Sequence, residues 1–176
     1  MQRNFGPIMQ NAFVVPDLGT AIDHWVRVMN VGPFFMFEHI PFAELWYRGA
    51  PARVDLTCAI AYCGDLQIEL IRQQDDAPSI YTDFERTRGH GLQHMGVMSE
   101  SLDADLARLA AQGIEPVQHG RTKGGGRFAY VATDFHPGAM IELIESGPGM
   151  LAAFRTMHEA ARDWDGTKPV RRFGEI

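Results

Sequence analysis

Cysteines, long apolar runs and basic blocks are all scarce in this 176-residue sequence, and each scarcity narrows the class of protein. The only cysteines, Cys58 and Cys63, would point to opposite faces of one strand, so we expect free buried thiols in a reducing compartment, the cytoplasm. The first residues hold no extended apolar run, which argues against a signal peptide and a membrane span. Asp and Glu number 22 against 16 Lys and Arg, without a basic cluster, which argues against nucleic acid as a partner.

One short pattern, by contrast, occurs twice. Residues 66–71 and 139–144 both contain Ile-Glu-Leu-Ile, with Glu69 and Glu142 inside an apolar run that is typical of a buried strand. A buried carboxylate is costly unless it is paired or binds a metal. Either glutamate alone is compatible with a strand that has one wet face. The pair indicates a duplicated unit that presents a carboxylate twice to a shared site.

The predicted elements repeat in the same order around these runs. Each half begins with a strand and a helix, and Asp17 caps the first helix while Ser99 or Ser101 caps the second. Three further strands follow in each half. The predicted strands lie at 8–15, 34–37, 53–62 and 66–71 in the first half, and at 91–98, 115–118, 127–132 and 140–145 in the second.

Three stretches lie outside this repeat. Residues 39–51, with prolines and glycine among aromatic residues, are predicted to form an irregular loop or a weak strand. Residues 73–90 are polar and are predicted to be a linker, which either connects the halves or lies over a site. Apolar residues at helical spacing predict a packing helix at 150–164.

Aligning the halves yields four candidate ligands. Gln10 on the first strand matches His94 on the corresponding strand of the second half, and Glu69 matches Glu142 on the two closing strands. Each half therefore offers one polar side chain and one carboxylate.

Three runs in the sequence resemble the vicinal oxygen chelate superfamily, which includes glyoxalase I, methylmalonyl-CoA epimerase, extradiol dioxygenases and bleomycin resistance proteins. These runs are residues 10–18, 91–97 and 138–144. The resemblance implies an α+β fold in which two βαβββ modules, about 8–73 and 91–146, curl into a cup-shaped mixed sheet. It implies one domain over residues 1–146, a C-terminal helix and tail over 147–176, and a homodimer.

The same resemblance implies one divalent metal ion held by Gln10, Glu69, His94 and Glu142. Two carboxylates neutralise such an ion, and this set of oxygens and one nitrogen suits Zn, Ni, Co, Mn or Mg. The ion would bind two substrate oxygens and stabilise an enolate while a glutamate moves the proton. Glu69 and Glu142 are the candidate catalytic residues, and the resemblance to glyoxalase I favours Glu142 as the principal base.

The predicted function is a metal-dependent isomerase, epimerase or lyase that acts on a small carbonyl or thioester substrate. Two alternatives remain: a non-catalytic small-molecule binder of the bleomycin-resistance type and a dioxygenase, which Glu69 disfavours. The sequence lacks a convincing counterpart of the residues with which either relative contacts glutathione or coenzyme A. Candidate substrate-binding residues are Phe35, Phe37 and Trp46 as an apolar wall and Arg127 for an anionic group, while His90 and His136 are candidate pocket residues.

Overall fold

The structure is a computed structural model that describes residues 5–133, 139–145 and 147–172. The helices are α1 (Leu18–Met29), α2 (Ile80–Arg88), α3 (Leu102–Ala110) and α4 (Pro148–Arg162). The strands are β1 (Ile8–Val14), β2 (Phe34–Phe37), β3 (Phe42–Tyr47), β4 (Ala50–Pro51), β5 (Leu56–Cys63), β6 (Leu66–Gln73), β7 (Gly91–Met98), β8 (Gln118–Thr122), β9 (Arg127–Val131), β10 (Met140–Glu145) and β11 (Val170–Arg172).

The eleven strands of the described ranges form one mixed sheet with the order β11-β2-β5-β6-β1-β7-β10-β9-β8-β3-β4. Within it, β2-β5-β6-β1 comes from the first half and β7-β10-β9-β8 from the second. Each half pairs its first strand in parallel with its last, β1 with β6 and β7 with β10. The two first strands then pair antiparallel with each other at the centre. The predicted α+β fold with two βαβββ modules is confirmed.

The helices of the two modules begin at the predicted caps. Asp17 accepts a hydrogen bond from the Thr20 amide at the start of α1, and the Ser101 hydroxyl accepts from the Ala104 amide at the start of α3. Both helices bury their apolar stripes against one face of the sheet. The opposite face packs a third apolar cluster that includes Ala12, Tyr130 and Met157, and this face carries the candidate ligands.

Of the two alternatives predicted for residues 39–51, an irregular loop or a weak strand, the structure has strands. The stretch forms β3 and β4, and β3 pairs with β8, so a segment of the first half extends the edge of the second half. Leu45 is buried whereas its neighbours Glu44 and Trp46 are exposed. This alternation and the hydrogen-bonding edge of β8 give the segment a strand conformation despite its glycine and prolines.

The predicted linker at 73–90 is wrong in part, because it contains α2. Ser79 forms a capping box with Thr82: the Ser79 hydroxyl accepts from the Thr82 amide, and the Ser79 amide donates to the Thr82 hydroxyl. Ile80 and Tyr81 are buried, so tertiary packing stabilises a helix whose sequence is largely polar.

The structure differs from the predicted elements in three smaller respects: the start of β8, the presence of β11 and the exposure of Cys63. β8 begins at Gln118, later than predicted, and β11 adds a short strand beside β2. Cys58 is buried and Cys63 is exposed, so the expectation of two buried thiols is wrong for Cys63, although both are free. The predicted C-terminal helix is present as α4, whose Met157 is fully buried. Within the described ranges, the helices are too short or too polar to cross a membrane.

Candidate functional site

Glu69, His94 and Glu142 converge on the face of the sheet opposite to α1 and α3. His94 Nε2 lies 3.6 Å from Glu69 Oε2 and 3.2 Å from Glu142 Oε2. One potential ligand atom from each of the three lies within 4.8 Å of the others. The glutamates lie on the closing strands β6 and β10 and the histidine on the central strand β7, so one chain contributes carboxylates from both modules.

Two β-bulges directly precede Gln10 and His94, which are the central polar residues of the site and lie on the central strands β1 and β7. In the antiparallel pairing of β1 with β7, Met9 is the extra residue on β1 and Gln93 the extra residue on β7. Gln10 and His94 directly follow these bulges at matching positions of the two modules. A bulge re-aims neighbouring side chains, so that the consecutive residues Gln93 and His94 are both buried and hydrogen-bond to each other.

Gln93 determines which nitrogen of His94 is available. The Gln93 Oε1 oxygen lies 2.6 Å from His94 Nδ1 and can only accept, so Nδ1 carries a proton. In the neutral imidazole, this leaves a lone pair on Nε2. Nε2 is buried and forms no hydrogen bond with the residues described, although both carboxylates are close. The nitrogen is therefore presented to a point between the carboxylates rather than to either of them.

The fourth candidate, Gln10, is held at the same site by its amide nitrogen. Gln10 Nε2 donates to Glu69 Oε2 at 3.2 Å and to Gln67 Oε1 at 2.7 Å, and Gln67 Nε2 donates in turn to the Tyr62 hydroxyl. Gln10 Oε1 is buried without a partner among the described residues. A Cβ atom on Gly96 would lie 2.5 Å from this oxygen, so the glycine makes room for the amide.

The charges at the site favour a cation. Burial lowers the pKa of His94, but the neighbouring Glu142 and Glu69 carboxylates outweigh burial and raise it to about 9. Without an ion, the imidazole therefore holds a proton between the two carboxylates. A divalent cation would replace that proton at Nε2 and bring one more positive charge to the two carboxylates. The donor set of one imidazole and two carboxylates fits such an ion, with the Gln10 amide alongside.

A cavity of about 390 Å³ extends from these residues. Gln10, Glu69 and Glu142 line its polar end, while His94 lies fully buried behind them. The remaining wall is mostly apolar and comes from the segment between β2 and β3, from β5 and β9, and from α4. Its apolar side chains include Phe37, Ile40, Phe42, Leu56, Ile60, Phe128, Met150, Ala153, Phe154 and Met157.

Of the four predicted substrate-binding residues, two line the cavity and two lie elsewhere. Phe37 and Arg127 line the cavity. Phe35 is instead completely buried in the core, where the Arg171 guanidinium lies 5.9 Å from its ring centroid. Trp46 faces away on β3, 37% exposed and stacked on His119 with ring centroids 6.3 Å apart. Aromatic character alone does not distinguish a cavity wall from core or surface.

Of the candidate pocket histidines, His90 lies 2.9 Å from the Glu85 carboxylate and is absent from the described cavity wall. His136 lies outside the described residues. Sequence reasoning missed Tyr81 and Tyr130, which both line the cavity. The capping pattern beginning at Ser79 was the available signal for α2, which carries Tyr81 into the cavity.

Comparison with solved structures supports the same fold. A methylmalonyl-CoA epimerase from Mycobacterium tuberculosis has a TM-score of 0.59 and 22% identity, covering 82% of this chain and 90% of its own. A Streptomyces coelicolor methylmalonyl-CoA epimerase variant, solved in complex with 2-nitronate-propionyl-CoA, has a TM-score of 0.59 and 15% identity, covering 82% and 96%. A hypothetical protein from Bacillus halodurans has a TM-score of 0.59 and 14% identity, covering 80% and 94%.

No significant match exists among curated proteins. The sequence profile of the glyoxalase/bleomycin resistance protein/dioxygenase superfamily, however, matches residues 9–131, which include β7 and all of β1 except its first residue. This superfamily contains enzymes such as epimerases as well as non-enzymes, and its members typically bind a divalent metal. The chain belongs to the glyoxalase/bleomycin resistance protein/dioxygenase superfamily.

Proposed function

We propose that this protein is a metal-dependent isomerase, epimerase or lyase that transfers a proton on a small carbonyl compound. The observation that supports this most strongly is the convergence of three groups: the buried Nε2 of His94, whose Nδ1 is held protonated by Gln93, lies 3.6 Å from the Glu69 carboxylate and 3.2 Å from the Glu142 carboxylate. A bound divalent cation would supply Lewis-acid polarisation of a carbonyl oxygen, which acidifies the adjacent C–H bond.

In this proposal, Glu69, His94 and Glu142 hold the ion, and Gln10 orients Glu69 through its amide hydrogen bond. Glu142 is the base that takes the proton from carbon and returns it. Its carboxylate lines the cavity and is therefore accessible to a ligand. The surrounding apolar wall excludes water, which strengthens the electrostatic interactions at the polar end.

The binding-protein alternative is favoured by one observation, the predominantly apolar cavity wall. A protein that only sequesters an apolar ligand needs that wall but gains nothing from a base and an ion. The two functions therefore differ in metal content and in proton exchange, both of which are measurable.

The test begins with metal analysis of protein purified without chelator, and continues with proton exchange in D₂O. Deuterium should enter the activated α-carbon of a hydroxyketone in the presence of the metal-loaded protein. Glu142→Gln keeps the size and an oxygen donor but removes the basicity, so exchange should fall by orders of magnitude while ligand binding largely remains. Glu159→Gln makes the same change on the exposed face of α4 and should leave exchange intact.

Equal exchange in the parent protein and in Glu142→Gln would exclude Glu142 as the base. Protein that purifies without metal, and that binds a ketone without exchanging its protons even after a divalent metal is added, would favour the binding protein instead.

A further inference from the structure

The described part of the cavity wall provides few partners for a charged group of a ligand. Among the described residues, and apart from the polar end at Gln10, Glu69 and Glu142, polar side chains are a minority of the wall, and the segment 37–42, β5 and α4 present mainly aliphatic and aromatic side chains. Burying a charged group against such a wall without a partner is unfavourable, whereas burying apolar surface is favourable by roughly 25 cal/mol per Å².

The basic side chain on the described cavity wall, that of Arg127, already has carboxylate partners. Among the described residues that line the cavity, Arg127 is the one lysine or arginine, and it donates to Glu145 at 2.9 Å and to Asp103. Glu38, an acid on the same wall, pairs with Arg172 at 3.1 Å. A divalent ion between two carboxylates is formally neutral, so the polar end also lacks a net positive charge with which to attract an anion.

We propose that the ligand of this cavity is a neutral carbonyl compound with an apolar body, rather than an acyl-CoA thioester or another anion. This proposal rests on the proposed function for the role of the metal, and it adds the class of substrate. The apolar body would lie against α4, which lines the cavity with Met150, Ala153 and Phe154, and the carbonyl end would face the ion.

The test uses cobalt-loaded protein, because the visible absorption of the ion reports ligand binding directly. Hydroxamic acids supply a constant metal-binding head on different bodies: acetohydroxamic acid, benzohydroxamic acid and the monohydroxamate of succinic acid. The apolar ring should tighten binding by roughly tenfold or more over the methyl group. The succinic compound, whose tail is anionic, should bind no more tightly than acetohydroxamic acid. Tighter binding of the succinic compound, or displacement of benzohydroxamic acid by micromolar propionyl-CoA, would overturn the proposal.

Two matched variants locate the apolar body. Ala153→Trp fills the cavity from α4 and should weaken benzohydroxamic acid by roughly tenfold or more while acetohydroxamic acid and the cobalt spectrum change little. Ala152→Trp adds the same side chain at the exposed neighbouring position and should change neither affinity. Equal effects of the two substitutions would contradict the assigned position.

Failure of the metal site is distinguishable from failure of the ligand class. Absence of a protein-bound cobalt spectrum would contradict the proposed function. The ligand class is then decided on metal-free protein by thermal shift: stabilisation by acetophenone but not by benzoate supports a neutral ligand, and the reverse or no difference rejects it.

A second inference comes from the buried hydroxyl groups of Tyr81 and Tyr130. The two oxygens lie 2.9 Å apart, and both side chains line the cavity. Two hydroxyls carry two protons, but their mutual hydrogen bond uses only one of them. Neither hydroxyl has another partner in the described part of the chain, so the pair has one O–H left to donate.

We infer that this tyrosine pair donates a hydrogen bond to an oxygen atom of the ligand. One hydroxyl then contacts the ligand directly and the other donates to the first. In this chain of two hydrogen bonds, the two tyrosines have different effects. Loss of the hydroxyl that contacts the ligand removes the hydrogen bond to the ligand. Loss of the hydroxyl that donates to the first tyrosine only weakens the hydrogen bond to the ligand.

The test compares Tyr81→Phe, Tyr130→Phe and the double variant for benzohydroxamic acid binding to cobalt-loaded protein. One single variant should weaken binding by about fivefold to tenfold, the other less, and the double variant no more than the stronger single. Cobalt affinity should stay constant, which a merely structural role would not require. Tyr47→Phe, which removes a hydroxyl bonded to Asp83 outside the cavity wall, is the control.

Additive losses in the double variant, or affinities within twofold of the parent in both single variants, would refute the inference. Should a variant fail to fold, the ultraviolet difference spectrum of the parent decides: benzohydroxamic acid should perturb the tyrosine bands, and an unperturbed spectrum refutes the contact.

Discussion

Replacing Gly96 with alanine should disturb the site through one methyl group. Gly96 lies on β7 opposite Gln10 on β1, and a Cβ atom there would lie 2.5 Å from Gln10 Oε1, 3.0 Å from Gln10 Cβ and 3.1 Å from Ile144 Cδ1. Gln10 Cβ is attached to the backbone of a central strand and yields little, whereas Gln10 Oε1 and Ile144 Cδ1 are side-chain ends that can shift. The Gln10 side chain must therefore move, and its hydrogen bonds to Glu69 and Gln67 are lost or weakened.

The magnitude follows from two contributions. Inserting a methyl group into a packed interior costs about 1–3 kcal/mol, and each of the two hydrogen bonds contributes about 1 kcal/mol net. We expect the free energy of unfolding of Gly96→Ala to fall by about 2–4 kcal/mol, since relaxation recovers part of the total. Because Glu69 loses its orienting partner, metal affinity should fall by roughly tenfold.

Urea unfolding of metal-free protein measures the first effect, and competition with a chromogenic chelator measures the second. Gly149→Ala is the matched control, because a Cβ at this helical position meets no atom of the described residues within 4 Å and alanine favours the helix. Stability of Gly96→Ala within 0.5 kcal/mol of the parent (about the usual range for a surface substitution) would refute the close approach described for Gln10.

Three further predictions concern the metal site. Gln93→Leu removes the acceptor for His94 Nδ1 and should lower metal affinity by roughly 10–100-fold, measured by chelator competition. Chelator should lower the melting temperature and a divalent metal should restore it, because binding to the folded state stabilises it; a melting temperature indifferent to both excludes a resident ion. The raised pKa of His94, about 9, implies that a bound proton must leave before the ion binds. Affinity should therefore rise about tenfold per pH unit between about pH 6 and 8, and calorimetry in buffers of different ionisation enthalpy should count about one proton released per ion.

The same pKa determines how metal-free protein responds to pH. The pKa of His94 is raised from 6.5 to about 9, so its contribution to folding is complete below about pH 6.5 and is lost as pH rises through 9. Metal-free protein should therefore lose stability from neutral to alkaline pH, as followed by urea unfolding. The metal-bound protein should lose less, because His94 binds no proton there.

Much of the module architecture is predictable from the sequence because it depends on local signals. Asp17 and Ser101 are capping residues with free amides to satisfy, and the apolar runs around Glu69 and Glu142 are short enough to be strands. Duplication then relates the two glutamates, since equivalent strands of equivalent modules face the same side. The metal-ligand set itself stays a prediction, which the convergence of Glu69, His94 and Glu142 supports.

Other features depend on contacts that are distant in sequence. β3 becomes a strand because the edge of β8 offers hydrogen bonds, although the paired residues lie 71 (118 − 47) to 80 (122 − 42) positions apart in the sequence. Likewise, α2 is stable because Tyr81 packs against Tyr130, 49 residues away, rather than because its own sequence is strongly amphipathic. The role of α4 in the cavity wall also depends on contacts that are distant in sequence. The apolar stripe of α4 predicts that the helix packs, but it does not identify the surface on which the helix packs.

The two modules support their central polar residues in opposite ways. Each central residue has a bulged neighbour before it and a strand partner beside it: Met9 and Gln67 for Gln10, Gln93 and Met140 for His94. Each module thus has one glutamine and one methionine in these two places, but exchanged. An imidazole whose Nε2 is to face an ion needs an acceptor at Nδ1, which the bulged Gln93 supplies.

The amide of Gln10 has different requirements, since its NH₂ group needs acceptors beside it, which Gln67 and Glu69 supply. A methionine in place of Gln67 would leave one of those N–H groups unsatisfied in a buried site, and a methionine in place of Gln93 would leave the tautomer of His94 undetermined. The exchange of glutamine and methionine between the modules therefore follows from the difference between the central side chains. It is this difference that turns a duplicated sheet into a site with a single imidazole nitrogen directed at the two carboxylates.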